Sequence, residues 1–205
     1  MEFLGVFDTV SGGAGLSEIA QRLRITEGRL PANVKNALQI LAIDETRSFF
    51  KPVLWTREST TNSFLEQIWM PGVHSDVGGA FTERSLGDVA LITMIDRIVA
   101  KTSLKFDLDA CRQYNKKLDP AKHYVRVHNE RALMYWKLFN PWPVTRRINR
   151  NIDQTIHPLA NYLRDKVILY KSDNDRLPYP FPQSFEGLNE QAPEFLTRNF
   201  QSIFP

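Results

Sequence analysis

Hydrophobic positions along this chain fall into short blocks closed by polar or glycine-rich turns. The first block, Phe3 to Phe7, is apolar and β-prone, as a strand covered on both faces would be. It runs into Asp8-Thr9-Val10-Ser11-Gly12-Gly13-Ala14-Gly15, a loop whose glycines permit positive φ and close backbone approach. Residues 16–33 carry a mixed pattern that Pro31 closes. From Val34 to Ile43, Val34, Leu38, Leu41 and Ala42 recur at helical spacing. The pattern predicts a helix there, with Asn33 as its N-cap. Asp44-Glu45-Thr46-Arg47 follows, then the aromatic stretch Phe49 to Trp55, then a polar loop from Arg57 to Asn62.

Phe64 to Met70 is the second strand, stopped by Pro71-Gly72. Ser85 is placed to cap a helix over Leu86 to Lys101. Its stripe of Leu91, Met94, Ile95, Ile98 and Val99 predicts one buried face, with Asp88, Asp96, Arg97 and Lys101 turned outward. Residues 104–130 suit a short helix and loops. Residues 131–150 are aromatic and basic, and from Leu177 the chain is rich in Pro and Phe with little expected regular structure. Strand, helix, strand, helix within the first 101 residues argues for an α/β fold with a parallel layer. Two parallel strands do not make a stable sheet. The expectation is therefore a C-terminal portion of a larger domain, from a split or truncated reading frame in which Met1 is an internal methionine.

Composition changes this picture little. The chain has 205 residues, 42% of them hydrophobic, enough for one domain with a sizeable core. A net charge of +3 implies no general affinity for nucleic acid. The single cysteine, Cys111, excludes an internal disulfide and a cysteine metal cage and reads as inert. The sequence shows no signal peptide and no apolar run near the ~18 residues of a membrane span.

The candidate chemistry lies at the two strand ends. With crossover connections, parallel strands present their C-terminal ends on one edge, so Asp8 and His74 would share a rim. An acid and then a histidine is the order in which α/β-hydrolases present two members of their triad. There the acid holds the imidazole tautomer and the imidazole takes the nucleophile's proton. The plainer readings are a loop-capping role for Asp8, through the amides of residues 10 and 11, and a turn histidine for His74. Asp76 competes with Asp8 as the acid that orients His74, and His74 with Asp76 is also a weak metal pattern lacking a third ligand. His123, His128 and His157 read as structural. No Gly-x-Ser-x-Gly occurs in the sequence, and neither Ser75 nor Ser17 has its flanking glycines.

Three strings carry a family resemblance: Phe3 to Val10, Asn36 to Phe49, and above all Gln67-Ile68-Trp69-Met70-Pro71-Gly72-Val73-His74-Ser75-Asp76-Val77-Gly78-Gly79. Leu86 to Leu91 and Ile156-His157-Pro158 add to it. Over roughly residues 2 to 180 the chain resembles the α/β-hydrolase domain of type VI secretion phospholipase effectors. The resemblance implies a Ser-Asp-His triad with Asp8 as acid and His74 as base, the serine lying on an elbow upstream of Met1. It further implies a partial α/β-hydrolase fold over residues 1–180 with a Pro/Phe-rich tail at 181–205, and no cofactor. The implied partners are a phospholipid or other ester and the missing N-terminal hydrolase segment. The implied setting is the bacterial cytoplasm, with export as an effector needing no signal peptide. Without its nucleophile the chain alone is expected to be inactive. A non-catalytic remnant or interaction module is the alternative. Leu133 to Trp142 with Arg146, Arg147 and Arg150 suits contact with a membrane surface, against the plainer reading of core aromatics and a solvated basic face.

Overall fold

The computed structural model describes residues 1–10, 28–57, 64–112, 125–130, 142–149, 154–164, 166–170 and 176–190. The glycine-rich loop from residue 11, His123, residues 131–141, Arg150 and the last fifteen residues lie outside them. In chain order the elements are β1 (Phe3–Phe7), β2 (Arg29–Leu30), β3 (Asn36–Ala42), β4 (Thr56–Arg57), β5 (Phe64–Met70), α1 (His74–Val77), α2 (Ser85–Lys101), α3 (Leu108–Arg112), β6 (Arg126–Val127), β7 (Thr155–Ile156), α4 (Pro158–Leu163), β8 (Val167–Tyr170) and β9 (Arg176–Pro178). Four strands form one parallel sheet in the order β1-β3-β5-β7. The α/β fold with parallel strands is as expected.

Val34 to Ile43 is not a helix. Residues 36–42 form β3, an inner strand of the sheet, paired with β1 on one side and β5 on the other. All seven residues are buried. Leu38, Ile40 and Ala42 point into the main core, while Ala37 and Leu41 join clusters on the other face. An inner parallel strand is apolar on both faces, so it shows no alternation and can mimic a helical pattern over a few turns. The Ala, Leu and Gln of this segment are good helix formers, but propensity yields to pairing on both edges. With β3 and β7 in place, the sheet is not the two-stranded layer read from the sequence.

The two faces are covered differently. α2 lies on one, with Leu86, Val89, Ala90 and Met94 in the core beside Ile68 and Met70. Gly5 of β1 permits this approach, because a Cβ there would lie 2.5 Å from Met94 Sδ. The other face is crossed by the segment after Phe50. Gln39 and Gln67, fully buried partners in register, hold it: Gln39 Nε2 donates to Val53 O at 2.8 Å, and Trp55 N donates to Gln67 Oε1 at 2.7 Å. Two amide side chains thus do for a backbone segment what a ladder strand would do.

Two expectations for α2 are corrected. Ser85 does not cap it: the helix begins at Ser85, and its buried Oγ has no partner among the described residues. Asp88, Asp96 and Arg97 do not face out. Arg97 is 1% exposed and bonds Asp96 at 2.7 Å and Glu66 of β5 at 2.6 Å, so the polar stripe seals an ion network against the sheet. β6 and β8, with antiparallel β9, form a second small sheet. In the Pro/Phe-rich stretch Phe185 is buried edge-on against Trp69, ring centres 5.0 Å apart.

Candidate active site

Three neighbouring strands end on one rim. β1 ends at Asp8, β3 at Asp44-Glu45, and β5 at the loop leading into α1. The carbonyl of Gly72 accepts from Asp44 N at 3.0 Å, and Gly72 N donates to Asp44 Oδ2 at 2.8 Å, so the ends of β3 and β5 are stitched together. Tyr179 and Tyr170 donate to the same carboxylate at 3.0 and 3.2 Å. Burial, then the charge of Asp44, raises both phenols well above their usual range, so they remain donors.

The rim brings Asp8 and His74 together. His74 Nδ1 lies 2.8 Å from Asp8 Oδ2. Asp8 is the one non-glycine residue with positive φ among those described, at 47°. Aspartate tolerates this left-handed conformation, and such residues cluster at functional sites. Its carboxylate is fully buried. Ala42 N donates to Oδ1 at 3.0 Å, Arg146 Nη2 donates to Oδ2 at 2.8 Å, and Arg146 Nη1 donates to Oδ1. Burial raises the carboxyl's pKa, but the Arg146 charge and the His74, Arg146 and Ala42 hydrogen bonds outweigh it and hold it below the usual value. Asp8 therefore stays ionised and accepts only, so His74 Nδ1 carries the proton it shares with Oδ2. His74 Nε2 then bears the lone pair. It has no hydrogen-bond partner among the described residues, and the side chain is 29% exposed.

Arg146 was read from the sequence as part of a solvated or lipid-facing basic face. It is instead 6% exposed and locked onto Asp8, with further bonds to Ala42 O at 2.8 Å and Phe50 O at 2.7 Å. A guanidinium fork fits a carboxylate with two parallel bonds, which fixes Asp8 in place as well as in charge.

Asp76 does not partner His74. Its Oδ2 accepts from Val73 N at 2.9 Å and His128 N at 3.1 Å, and its Oδ1 lies 2.5 Å from His128 Nδ1. The His128 ring stacks on Phe81, centres 3.7 Å apart. This second Asp–His pair ties residues 125–130 to α1, the helix that His74 opens. His157 is also settled. It caps α4 by accepting from Leu159 N, and it meets Thr93 Oγ1 at 3.1 Å. Burial, then Arg97, lowers its pKa to about 4 and keeps it neutral. Cys111 is buried, and burial and then Asp107 push its thiol up, away from the reactive thiolate.

Beside the dyad the sequence reading missed Glu45, Arg47 and Phe50. Glu45 accepts a bidentate pair from Arg47 at 2.9 and 2.8 Å and the His74 backbone N–H at 3.2 Å. Burial raises the Glu45 carboxyl, but the Arg47 bonds more than offset this and lower its pKa. The Arg47 guanidinium covers the Phe50 ring at 3.5 Å, and that ring meets His74 edge-on at 5.1 Å. All three line a cleft of about 750 Å³ that Arg146 and Arg147 also border. This is the size of a small-molecule site. The string Asp44-Glu45-Thr46-Arg47 would have placed them, had the run before it been read as a strand ending on the Asp8 rim.

The class is thus an α/β fold with an ionised Asp–His pair and a cleft at the C-terminal rim of its parallel strands. Residues 1–97 match the family described as the T6SS phospholipase effector Tle1-like catalytic domain. The resemblance drawn from the sequence is thereby borne out over those residues, which contain Asp8, Glu45, Arg47, Phe50 and His74 but not Arg146. A search of curated proteins finds no match to the chain, and neither does a search of solved structures. Among the described residues no group of three or more His, Cys, Asp or Glu is placed to hold a metal, and no helix is long and apolar enough to cross a membrane.

Proposed function

We propose that this chain carries the acid–base part of a serine-type ester hydrolase acting on phospholipids. The observation that carries the reading is the 2.8 Å contact between His74 Nδ1 and an Asp8 carboxylate held ionised by Arg146. His74 Nε2 takes the proton of a serine hydroxyl as its oxygen attacks the ester carbonyl. The imidazolium, steadied by Asp8, then returns the proton to the departing alcohol oxygen, and water repeats the cycle to free the acid. Asp8 orients the ring, and Arg146 positions Asp8. The serine belongs on a Gly-x-Ser-x-Gly turn, which the 205 residues do not contain, so in this reading another segment brings it. The phospholipase description of the family matched by residues 1–97 supports a lipid ester as substrate. Exposed Trp142 and Val144, at 79% and 48%, next to Arg147, support contact with a lipid surface.

The test is fatty-acid release from phospholipid vesicles by the chain expressed together with the coding segment that precedes it. His74→Ala lowers the rate by about a thousandfold, the scale of a positioned general base. Full activity in that variant removes the assignment. Activity of the chain alone, abolished by His74→Ala, would keep the dyad and place the serine within the chain.

A further inference from the structure

The charges that line the cleft do not balance. Its one carboxylate, Glu45, is taken up by Arg47 through both oxygens. Arg146 is taken up by Asp8. Lys51 and Arg147 remain, both exposed and both on the lining, with no hydrogen-bond or ion-pair partner among the described residues. Arg146 adds one more donor, because its buried Nε has no partner among the described residues. A cleft with two uncompensated cations and an unmet buried N–H is built for an anion. It opens beside His74, since Phe50 lines it and touches the imidazole edge-on.

We propose that Lys51 and Arg147 form the phosphate subsite of this cleft, holding the anionic group of a substrate whose ester lies at His74. The proposal rests on the ester-hydrolase reading for its orientation, but its chemistry stands on charge alone. An organic phosphate presents several acceptor oxygens, which suit an ammonium and a guanidinium on the two sides of an open cleft. An uncharged ester gains nothing from either. The phosphate has two sources, a lipid headgroup or a soluble phosphate ester, and both meet the same two side chains.

Calorimetric titration of the full chain with three probes tests it, each kept below its aggregation threshold: dihexanoyl-glycerophosphate, the uncharged dihexanoylglycerol, and glycerol 3-phosphate. The phosphate-bearing lipid binds at least about tenfold tighter than its uncharged analogue, the scale of one charge-assisted contact, and added salt narrows the gap. The double variant Lys51→Gln/Arg147→Gln removes the gap, and Lys51→Glu/Arg147→Glu reverses it. Both sites are exposed, so the fold is kept. Glycerol 3-phosphate binding as tightly as the lipid supports the subsite and assigns it to soluble phosphate esters; weaker binding supports it and assigns it to lipid headgroups. His74→Ala keeps the preference, so loss of the hydrolase reading and loss of this one are told apart. Equal affinity for the charged and uncharged lipids, or an unchanged gap in the double variant, overturns the proposal.

Discussion

The described residues hold two aspartate–histidine pairs, each with one member in α1, His74 and Asp76, two residues apart, and the pairs differ in everything but that contact. Asp8 and His74 meet at 2.8 Å, Asp76 and His128 at 2.5 Å. Asp76 has spent its other oxygen on the backbone N–H groups of Val73 and His128. The His128 ring is packed face to face on Phe81. Asp8 is backed instead by a guanidinium and sits in a left-handed conformation, and the His74 ring meets Phe50, which lines the cleft. A short Asp–His contact by itself therefore says little. What separates the two is the access of the ring, 29% exposed for the His74 side chain against 14% for His128, and the counter-charge on the acid, a guanidinium at Asp8 where Asp76 meets only backbone N–H groups and the His128 ring among the described residues.

Variants can break that contrast. The largest effect expected is on activity: while His74→Ala costs about a thousandfold, or about 4 kcal/mol of barrier, His128→Ala stays within about tenfold. Equal losses would erase the distinction between the pairs. Next, Arg146→Met strands a buried carboxylate and lowers unfolding stability by about 4 kcal/mol at neutral pH, read from denaturant midpoints. Asp8→Asn in the same background restores much of it, because the uncompensated charge is gone.

The third effect is a pH dependence from the third histidine. The folded pKa of His157, about 4, lies below its ordinary 6.5, so the unfolded chain binds more protons between those values. Stability is therefore full above pH 6.5 and falls as the pH drops toward 4, by about 3 kcal/mol in all. His157→Gln flattens that slope in urea titrations at several pH values; an unchanged slope would show that another group titrates there. Asp8 lies in a different window. Its folded pKa is below 3.8, so its contribution is present above that value and is lost only as the pH falls further. The smallest effect is that of Asp76→Ala, about 2 kcal/mol, since two backbone N–H groups lose an acceptor that water replaces in part. Its phospholipid-hydrolysis rate changes far less than that of Asp8→Ala.

Much of this architecture was legible along the chain. β1, β5 and the span of α2 follow from short apolar blocks and a long amphipathic one, because strand ends are marked by Asp8 and by Pro71-Gly72. The two halves of the dyad were legible for the same reason: parallel strands deliver their last residues to one edge. The inner strand β3 was not, since burial on both faces removes the alternation that distinguishes a strand from a helix. Losing it hid the Glu45–Arg47–Phe50 wall of the cleft, which stands where that strand ends. The outward face assigned to α2 failed similarly. Asp96 and Arg97 look solvated in sequence, yet Glu66 on β5 completes their network.

By itself, then, the sequence indicated where β1 and β5 end, and from that an acid and a histidine on one edge, because those are matters of local pattern and chain direction. Only the tertiary structure decided which carboxylate the histidine meets and what secures it. Asp76 is two residues from His74 yet bonds a histidine 52 positions further on; Asp8 is 66 positions away and is clamped by an arginine 138 residues from it. Sequence distance carries no information about such contacts. They are set by where the buried charge can find compensation once water has been excluded.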